Sequence, residues 1–312
     1  MLDPRLLTSF REVAVRRSFS AAADALGFTQ PAISQHVSRL ERTLGTRLLE
    51  RDARGVRPTM AGEALLRGAD AVLEQLRRLE ADVREAAGQA RPALRVAAFP
   101  TAAAGLLPGA LAELRVQQPD VQVDLHILEP DPAVERLAAG GLDVAMVIES
   151  ELDPVQRRDG LDYLPVMEDP MLVALPAGHH LAARAALSLD DLAGEPWLLT
   201  EVGGTCADSN IVLRACRDAG FSPQIRFESE DYNALQGMAA AGLGIAMIPS
   251  LAGVTVRPDV MLRPVRGRGP VRQILAAVRA HDRDPLVDCF VDGLRAASGA
   301  LPSAVPRLAV VA

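Results

Sequence analysis

Lysine is absent. All 33 cationic side chains are arginines, a bias that speaks of the source genome's composition more than of function. Cysteine is scarce: Cys206, Cys216 and Cys289 form neither an even disulfide framework nor a CxxC metal spacing, so reduced, buried thiols are expected. No apolar run is long enough to span a bilayer, and Asp3-Pro4-Arg5 near the start does not follow the charged-then-apolar order of a leader. A soluble, cytoplasmic protein with no membrane partner is therefore expected. The signatures GxxxxGKS/T, HExxH and GxSxG are missing, which removes the common phosphate-loop and hydrolase chemistries. No catalytic residue, metal or cofactor is expected.

What remains is core-forming material. The chain is 49% hydrophobic and 23% charged over 312 residues, a composition that suits two or three globular domains with large cores. The net charge of −7 argues against a general polyanion binder, but it is unevenly spread. Residues 1–60 hold ten arginines against six acids, a net of +4, which leaves −11 for the rest. A basic head on an acidic body confines phosphate contact to one end of the chain.

The stretch from Ser18 to Leu44 reads as two short helices joined by a tight turn. Ser20 is placed as the cap of a first helix over Ala21 to Leu26, and Gly27 supplies the left-handed residue that ends it. Thr29 is placed as the next N-cap, with Pro31 in the first turn, where a missing N–H costs little. Ile33, Val37, Leu40 and Leu44 then recur on one face, which predicts their burial. The opposite face carries Gln30, Ser34, Gln35, Ser38 and Arg39, side chains able to reach base edges or phosphates in a major groove. The pattern is that of a helix-turn-helix with the second helix as reader. Ala-rich helical hairpins also serve as plain packing units, and spacing alone does not separate the two.

The wording of the segment does. FSAAADALGFTQPAISQHVSRLERTLGTRLLERDARGVRPTMAGE resembles, without a gap, the N-terminal module of LysR-type transcriptional regulators. The resemblance rests on Ala21, Ala22 and Leu26, on Gln30 to Ser34, on Leu40-Glu41 and Leu44-Gly45, and on Arg51, Thr59 and Ala61-Gly62. It implies that Gln30, Pro31, Ser34 and Gln35 lie against bases. Gln35 stands where the family often has arginine, so adenine is the better guess there than guanine.

In chain order, Asp3 and Pro4 open a helix whose Leu6, Leu7, Phe10, Val13 and Ala14 back the two that follow. The turn at Gly55, flanked by Arg51, Arg54 and Arg57, fits a wing against the sugar-phosphate backbone or an adjacent minor groove, or simply an exposed basic loop. Thr59 is placed as the cap of a long helix with a heptad-like seam of Leu65, Ala69, Val72, Leu76, Leu79 and Val83. By resemblance, that seam pairs with the same helix of a second subunit. The expected organisation is a winged helix-turn-helix DNA-binding domain (1–59), a dimerising linker helix (60–88), a hinge (89–93), an effector-binding domain (94–298) and a flexible tail (299–312). From residue 94 strands and helices alternate as βαβ units, with helices at Thr101 to Gln118 and Pro132 to Ala139 and a short strand at Met171 to Leu175 among them. The runs Leu106-Leu107-Pro108, Gly141 to Ala145, Leu189 to Leu192 and Ala241 to Pro249 resemble the bilobal periplasmic-binding-protein-like (type 2) effector domain of the same family. The fold class is thus α/β, with lobe I at 94–164 and 267–298 and lobe II at 167–262.

Ligands of open α/β sheets bind beyond the carboxyl ends of the strands, near helix N-termini. That rule nominates Pro100, Thr101, Ala102, Glu129 and Asp131 in lobe I, and Gly204, Thr205 and Tyr232 in lobe II, although a threonine before a helix also serves as a plain cap. Trp197 and Tyr232 are the large polar-edged rings near this cleft, and either could be core. Acidic residues suggest an amine or hydroxyls in the effector, helix ends a carboxylate; an amino acid or polar acid satisfies both. The expected partners are double-stranded DNA with a pseudo-palindromic operator, a small-molecule effector, and further copies in a homodimer or homotetramer. RNA polymerase is a further candidate. Peroxide-sensing members of the family keep two reactive cysteines near Cys206 and Cys216, which makes a thiol-based sensor one alternative and a ligand-independent DNA binder another. Ten residues of helix span about 15 Å while a disulfide needs α-carbons within about 7 Å, so such a pair would have to unwind the segment.

Overall fold

The computed structural model of the chain describes residues 2–52, 55–87, 93–151, 154–200, 207–267, 269–281 and 284–301. The chain divides into two compact units, the first running to Arg91 and the second holding nearly all the rest.

In the first unit, the Asp3 carboxylate accepts from the Arg5 backbone N–H at 2.9 Å and starts α1 (Pro4–Arg16). The next helix, α2 (Phe19–Leu26), is capped by Ser18, whose hydroxyl accepts from Ala21 N–H at 3.2 Å. Ser20 is therefore not the expected cap. It sits exposed inside the first turn, because Ser18 is the serine placed three residues before that free N–H. Gly27 ends α2 at a φ of 68°, in the left-handed region as expected. Thr29 precedes α3 (Gln30–Leu44) in N-cap conformation, but its hydroxyl makes no capping hydrogen bond. Pro31 holds the second helical position and has removed one of the two N–H groups that hydroxyl could reach.

Ile33, Val37 and Leu40 of α3 pack with Phe10, Val13 and Ala14 of α1 and Ala22 and Ala23 of α2 in one buried core. Leu44 does not share it, being 40% exposed in the last turn before the chain swings away at Gly45. The wing is a two-stranded antiparallel hairpin, β1 (Leu49–Asp52) and β2 (Gly55–Pro58), with Leu49 opposite Pro58. The Glu41 carboxylate anchors it to α3 by accepting from the backbone N–H groups of Leu48 at 2.8 Å and Leu49 at 3.2 Å.

Thr59 caps α4 (Met60–Ala86): its hydroxyl accepts from Gly62 N–H at 3.1 Å and donates to the Arg47 carbonyl at 2.8 Å. A β-carbon on Gly62 would lie 2.0 Å from the Leu48 carbonyl oxygen, so this helix start needs glycine to approach the preceding chain. The expected seam of α4 is divided. Ala69 is buried with Leu7 and Leu73, and Leu65 packs on that cluster, so these two serve α1 within the same chain. Val72, Leu79 and Val83 are 50–60% exposed.

The second unit opens with β3 (Ala93–Ala98), α5 (Pro100–Gly105), α6 (Leu107–Gln117), β4 (Gln122–Ile127), α7 (Pro130–Ala138) and β5 (Val144–Glu149). One helix was expected across Thr101 to Gln118; it breaks at Leu106 because Pro108 offers no N–H and its ring clashes with the carbonyl one turn back. Next come β6 (Leu161–Pro176), β7 (Pro196–Leu199), α8 (Ala207–Asp218), β8 (Gln224–Glu228), α9 (Tyr232–Ala240) and β9 (Ile245–Pro249). The chain closes with β10 (Val260–Pro264), β11 (Val271–Arg279) and α10 (Pro285–Ala300).

The sheet order is β4-β3-β5-β11-β6-β9-β7-β8, with β10 also paired to β6. Each lobe has a parallel trio, β4-β3-β5 in lobe I and β8-β7-β9 in lobe II, as the βαβ reading required. Where a short strand was expected at Met171 to Leu175, β6 is far longer. Residues 161–170 pair antiparallel with β11, and residues 171–176 pair with β9 and β10, so a single strand runs through both lobes. Inside lobe I, buried Asp143 accepts from Arg95 and from Arg279 at 3.1 Å, pinning β3 to β11.

Candidate functional site

In the first unit, α3 shows its polar face to solvent. Gln30, Pro31, Gln35, Ser38 and Arg39 are exposed and Ser34 is half-buried. Thr29 and Ser20 are exposed as well. No side chain among Gln30, Ser34, Gln35, Ser38 and Arg39 bonds to another described residue. Opposite this face, the Nδ1 of His36 lies 2.8 Å from the Ser9 hydroxyl and its ring meets Phe28 edge-on, which holds the helix against α1 and the α2–α3 turn. On the wing, Arg57 is exposed on β2, Arg51 lies on β1 with its side chain outside the described residues, and Arg54 lies wholly outside them.

The second unit holds a cavity of about 540 Å³ between its lobes. Its apolar wall is Phe99, Ile148, Leu251 and Val254; its polar lining includes Thr101, Glu129, Asp208, Glu230, Tyr232 and Arg272. Arg272, on β11, is fully buried, and each edge of its guanidinium has a partner. Nε donates to Asp169 at 2.8 Å, Nη1 to both oxygens of Asp208 at 2.8 and 3.1 Å, and Nη2 to the Thr101 hydroxyl at 2.8 Å. The Phe99 ring lies 5.2 Å away, within cation–π range. Burial opposes this charge, but Asp208 and Asp169 outweigh it and raise the pKa, so the arginine stays ionised.

The partners of Arg272 come from both lobes. Thr101 starts α5 in lobe I, Asp208 lies in the first turn of α8 in lobe II, and Asp169 sits where β6 passes from one to the other. Asp169 also accepts from the Ser250 hydroxyl at 2.6 Å and Leu251 N–H at 3.1 Å, and Asp208 accepts from the Tyr232 hydroxyl. Behind the wall, buried Gln236 donates to the Ala252 and Thr255 carbonyls at 3.4 and 3.2 Å and accepts from Arg257 N–H at 3.1 Å, holding 250–255 in place.

Of the residues nominated from sequence, Pro100, Thr101, Glu129 and Tyr232 line the cavity. Ala102 does not: it is fully buried in the core beneath α5, because the helix turns that face inward. Asp131 is also absent from the lining and stands exposed in the first turn of α7, where a negative charge suits the helix dipole. Gly204, Thr205 and Cys206 lie outside the described residues. Trp197 is core, its indole N–H donating to the Leu192 carbonyl at 3.2 Å. Sequence reasoning missed Arg272, Asp169 and Asp208. The signal available was a charge inside an apolar strand, as in Val271-Arg272-Gln273-Ile274-Leu275.

Two further groups bear on chemistry. Cys216 is fully buried and desolvation pushes its thiol up to about 12, which leaves essentially no thiolate at neutral pH. His179, His180 and Glu195 lie close enough to share a metal ion. Leu181 N–H, however, donates to His179 Nδ1 at 3.3 Å, which puts the ring proton on Nε2, 3.4 Å from Glu195. That tautomer forms a hydrogen-bonded turn and turns an N–H, not a lone pair, toward the would-be ion.

A three-helix head with a hairpin wing, followed by a two-lobed α/β body with a cavity between the lobes, defines a regulator that couples a DNA-reading head to a solute-binding body. Residues 4–63 match the bacterial regulatory helix-turn-helix protein, lysR family, and residues 87–299 match the LysR substrate binding domain. The chain belongs to the LysR family of transcriptional regulators. It is 29% identical to the Hca operon transcriptional activator HcaR of Escherichia coli K12, covering 93% of this chain and 96% of that one. It is 31% identical to the dual regulator OxyR of the same organism, covering 86% and 92%. The crystal structure of full-length CbnR complexed with its target DNA superposes with a TM-score of 0.76 at 27% identity, over 95% of this chain and all of that one. No described helix is long and apolar enough to cross a membrane.

Proposed function

We propose that the chain reads a two-fold symmetric operator through α3, is paired through the exposed part of α4, and responds to a small molecule in the cavity of its second unit. The observation that carries this is the unpartnered polar face of α3, set on a buried three-helix core beside a basic wing. Gln30, Ser34, Gln35 and Ser38 read bases, while Ser20, Thr29, Arg39 and the wing arginines hold the phosphates. CbnR, bound to its target DNA, supports that assignment. A dimer would set two reading heads on one duplex, and its symmetry would be matched by inverted half-sites.

Regulation follows from differential binding and involves no chemical turnover. A ligand that binds one arrangement of the lobes more tightly shifts their populations, and the shift reaches the paired heads. Replacing Gln30 or Ser34 by alanine tests the DNA half of this reading. Binding to the cognate site is expected to weaken by roughly 1–3 kcal/mol and binding to random duplex to change little. Equal losses on both would show that α3 holds phosphates only.

A further inference from the structure

The cavity's charge balance points to a class of effector, and this inference rests on the cavity being the effector site. Among the described residues lining it, four carboxylates (Glu129, Asp208, Glu230 and Asp231) face one cation, Arg272. That cation is already taken: its donors are spent on Asp169, Asp208 and Thr101, and it lies fully buried.

Two of the carboxylates differ from the others. Asp208 is occupied by Arg272 and Tyr232, and Asp231 caps α9 by accepting from Asn233 N–H at 2.8 Å. Glu129 and Glu230 have no hydrogen-bond partner among the described residues. Glu129 ends the lobe I loop before α7 and Glu230 lies in the lobe II loop before α9; both line the cavity, and the charge of one bears on the other. Glu129 is shifted above the usual carboxylate range by partial desolvation, then by the charges of Asp208 and Glu230, against the smaller pull of Arg272.

We propose that the effector is a small organic cation, a primary amine or amidine on an apolar skeleton, whose charge sits between Glu129 and Glu230 while its body rests on Phe99, Ile148, Leu251 and Val254. A carboxylate effector would meet repulsion from the lining and find no uncommitted arginine. A cation near both glutamates relieves the repulsion between their charges, so it binds best in the arrangement of the lobes that brings them nearest. Because the ionised form of Glu129 is the one that binds, amine affinity rises as pH climbs through that group's titration and falls on acidification.

The test uses full-length protein and three probes of one skeleton at millimolar concentration: benzylamine, benzyl alcohol and benzoate. Calorimetry and thermal shift are expected to rank benzylamine first and benzoate last. Glu129→Gln and Glu230→Gln should each weaken benzylamine by roughly tenfold and leave benzyl alcohol unchanged. Benzoate binding as well as or better than the amine, no preference among the three, or amine affinity indifferent to both variants and to pH would each overturn the proposal. Operator binding, measured on the same samples, separates this failure from that of the regulator reading. A protein that still selects its site but prefers the anion refutes only the effector class.

Discussion

At the residue scale, the second unit turns on Arg272. Its guanidinium meets a hydroxyl from lobe I, a carboxylate from lobe II and a carboxylate on the strand that joins them, so one side chain is a common floor for both halves of the cavity. Replacing it with methionine keeps the volume but leaves Asp169 in the interior and Asp208 at the cavity floor without their countercharge. The expected loss is about 3–5 kcal/mol, read as a lower urea midpoint of the body's transition. A loss under about 1 kcal/mol would mean that the aspartates find water or take up a proton instead. A charge inside an apolar strand marked Arg272, but its partners were not legible, because nothing local in a sequence says that residues 169, 208 and 272 converge. Thr101 was nominated on a helix-start rule that holds anywhere in an α/β sheet. That rule placed Thr101 at the cavity, but it also nominated Ala102 and Asp131, which the turn of α5 and the outward face of α7 carry elsewhere.

At the element scale, periodicity was informative wherever one face of an element meets one neighbour. The stripe of α3 was readable to Leu40 and failed at Leu44, where the helix runs past its cover. On α4 the same kind of pattern merged two surfaces: Leu65 and Ala69 belong to the core with Leu7, whereas Val72, Leu79 and Val83 remain outward. A heptad pattern registers apolar spacing without saying which neighbour covers it. The pairing assigned to the outward part makes a direct prediction. Leu79→Asp with Val83→Asp should dissociate the dimer in sedimentation while leaving the head folded, since neither residue lies in the buried clusters. Leu65→Asp should instead unfold the head. An oligomer untouched by the double variant would place the interface elsewhere. Proline and glycine were read with mixed success: Gly27 ended α2 as expected, yet the break Pro108 imposes between α5 and α6 was passed over.

At the scale of the whole molecule, the sequence already carried the two-part plan, because the basic head and acidic body differ in charge and in periodicity. The resemblance of the first sixty residues supplied the family, which the matches to both halves now establish. What it could not supply was the long strand β6. Its two halves pair with different partners, and no local pattern tells one sixteen-residue strand from two short ones. That strand runs through both lobes, with Asp169, the partner of Arg272, at its crossing point. Recognition of DNA itself should follow electrostatics, weakening with salt by a slope of roughly 0.9 per phosphate neutralised.

The most direct measurement of the central claim is selection of binding sites from a random duplex library by the full-length protein at moderate salt. The account predicts enrichment of sequences carrying two inverted half-sites separated by whole helical turns, and loss of that enrichment when Gln30 and Ser34 are both alanine. A library that emerges unenriched, or one enriched equally by the alanine variant, would contradict it.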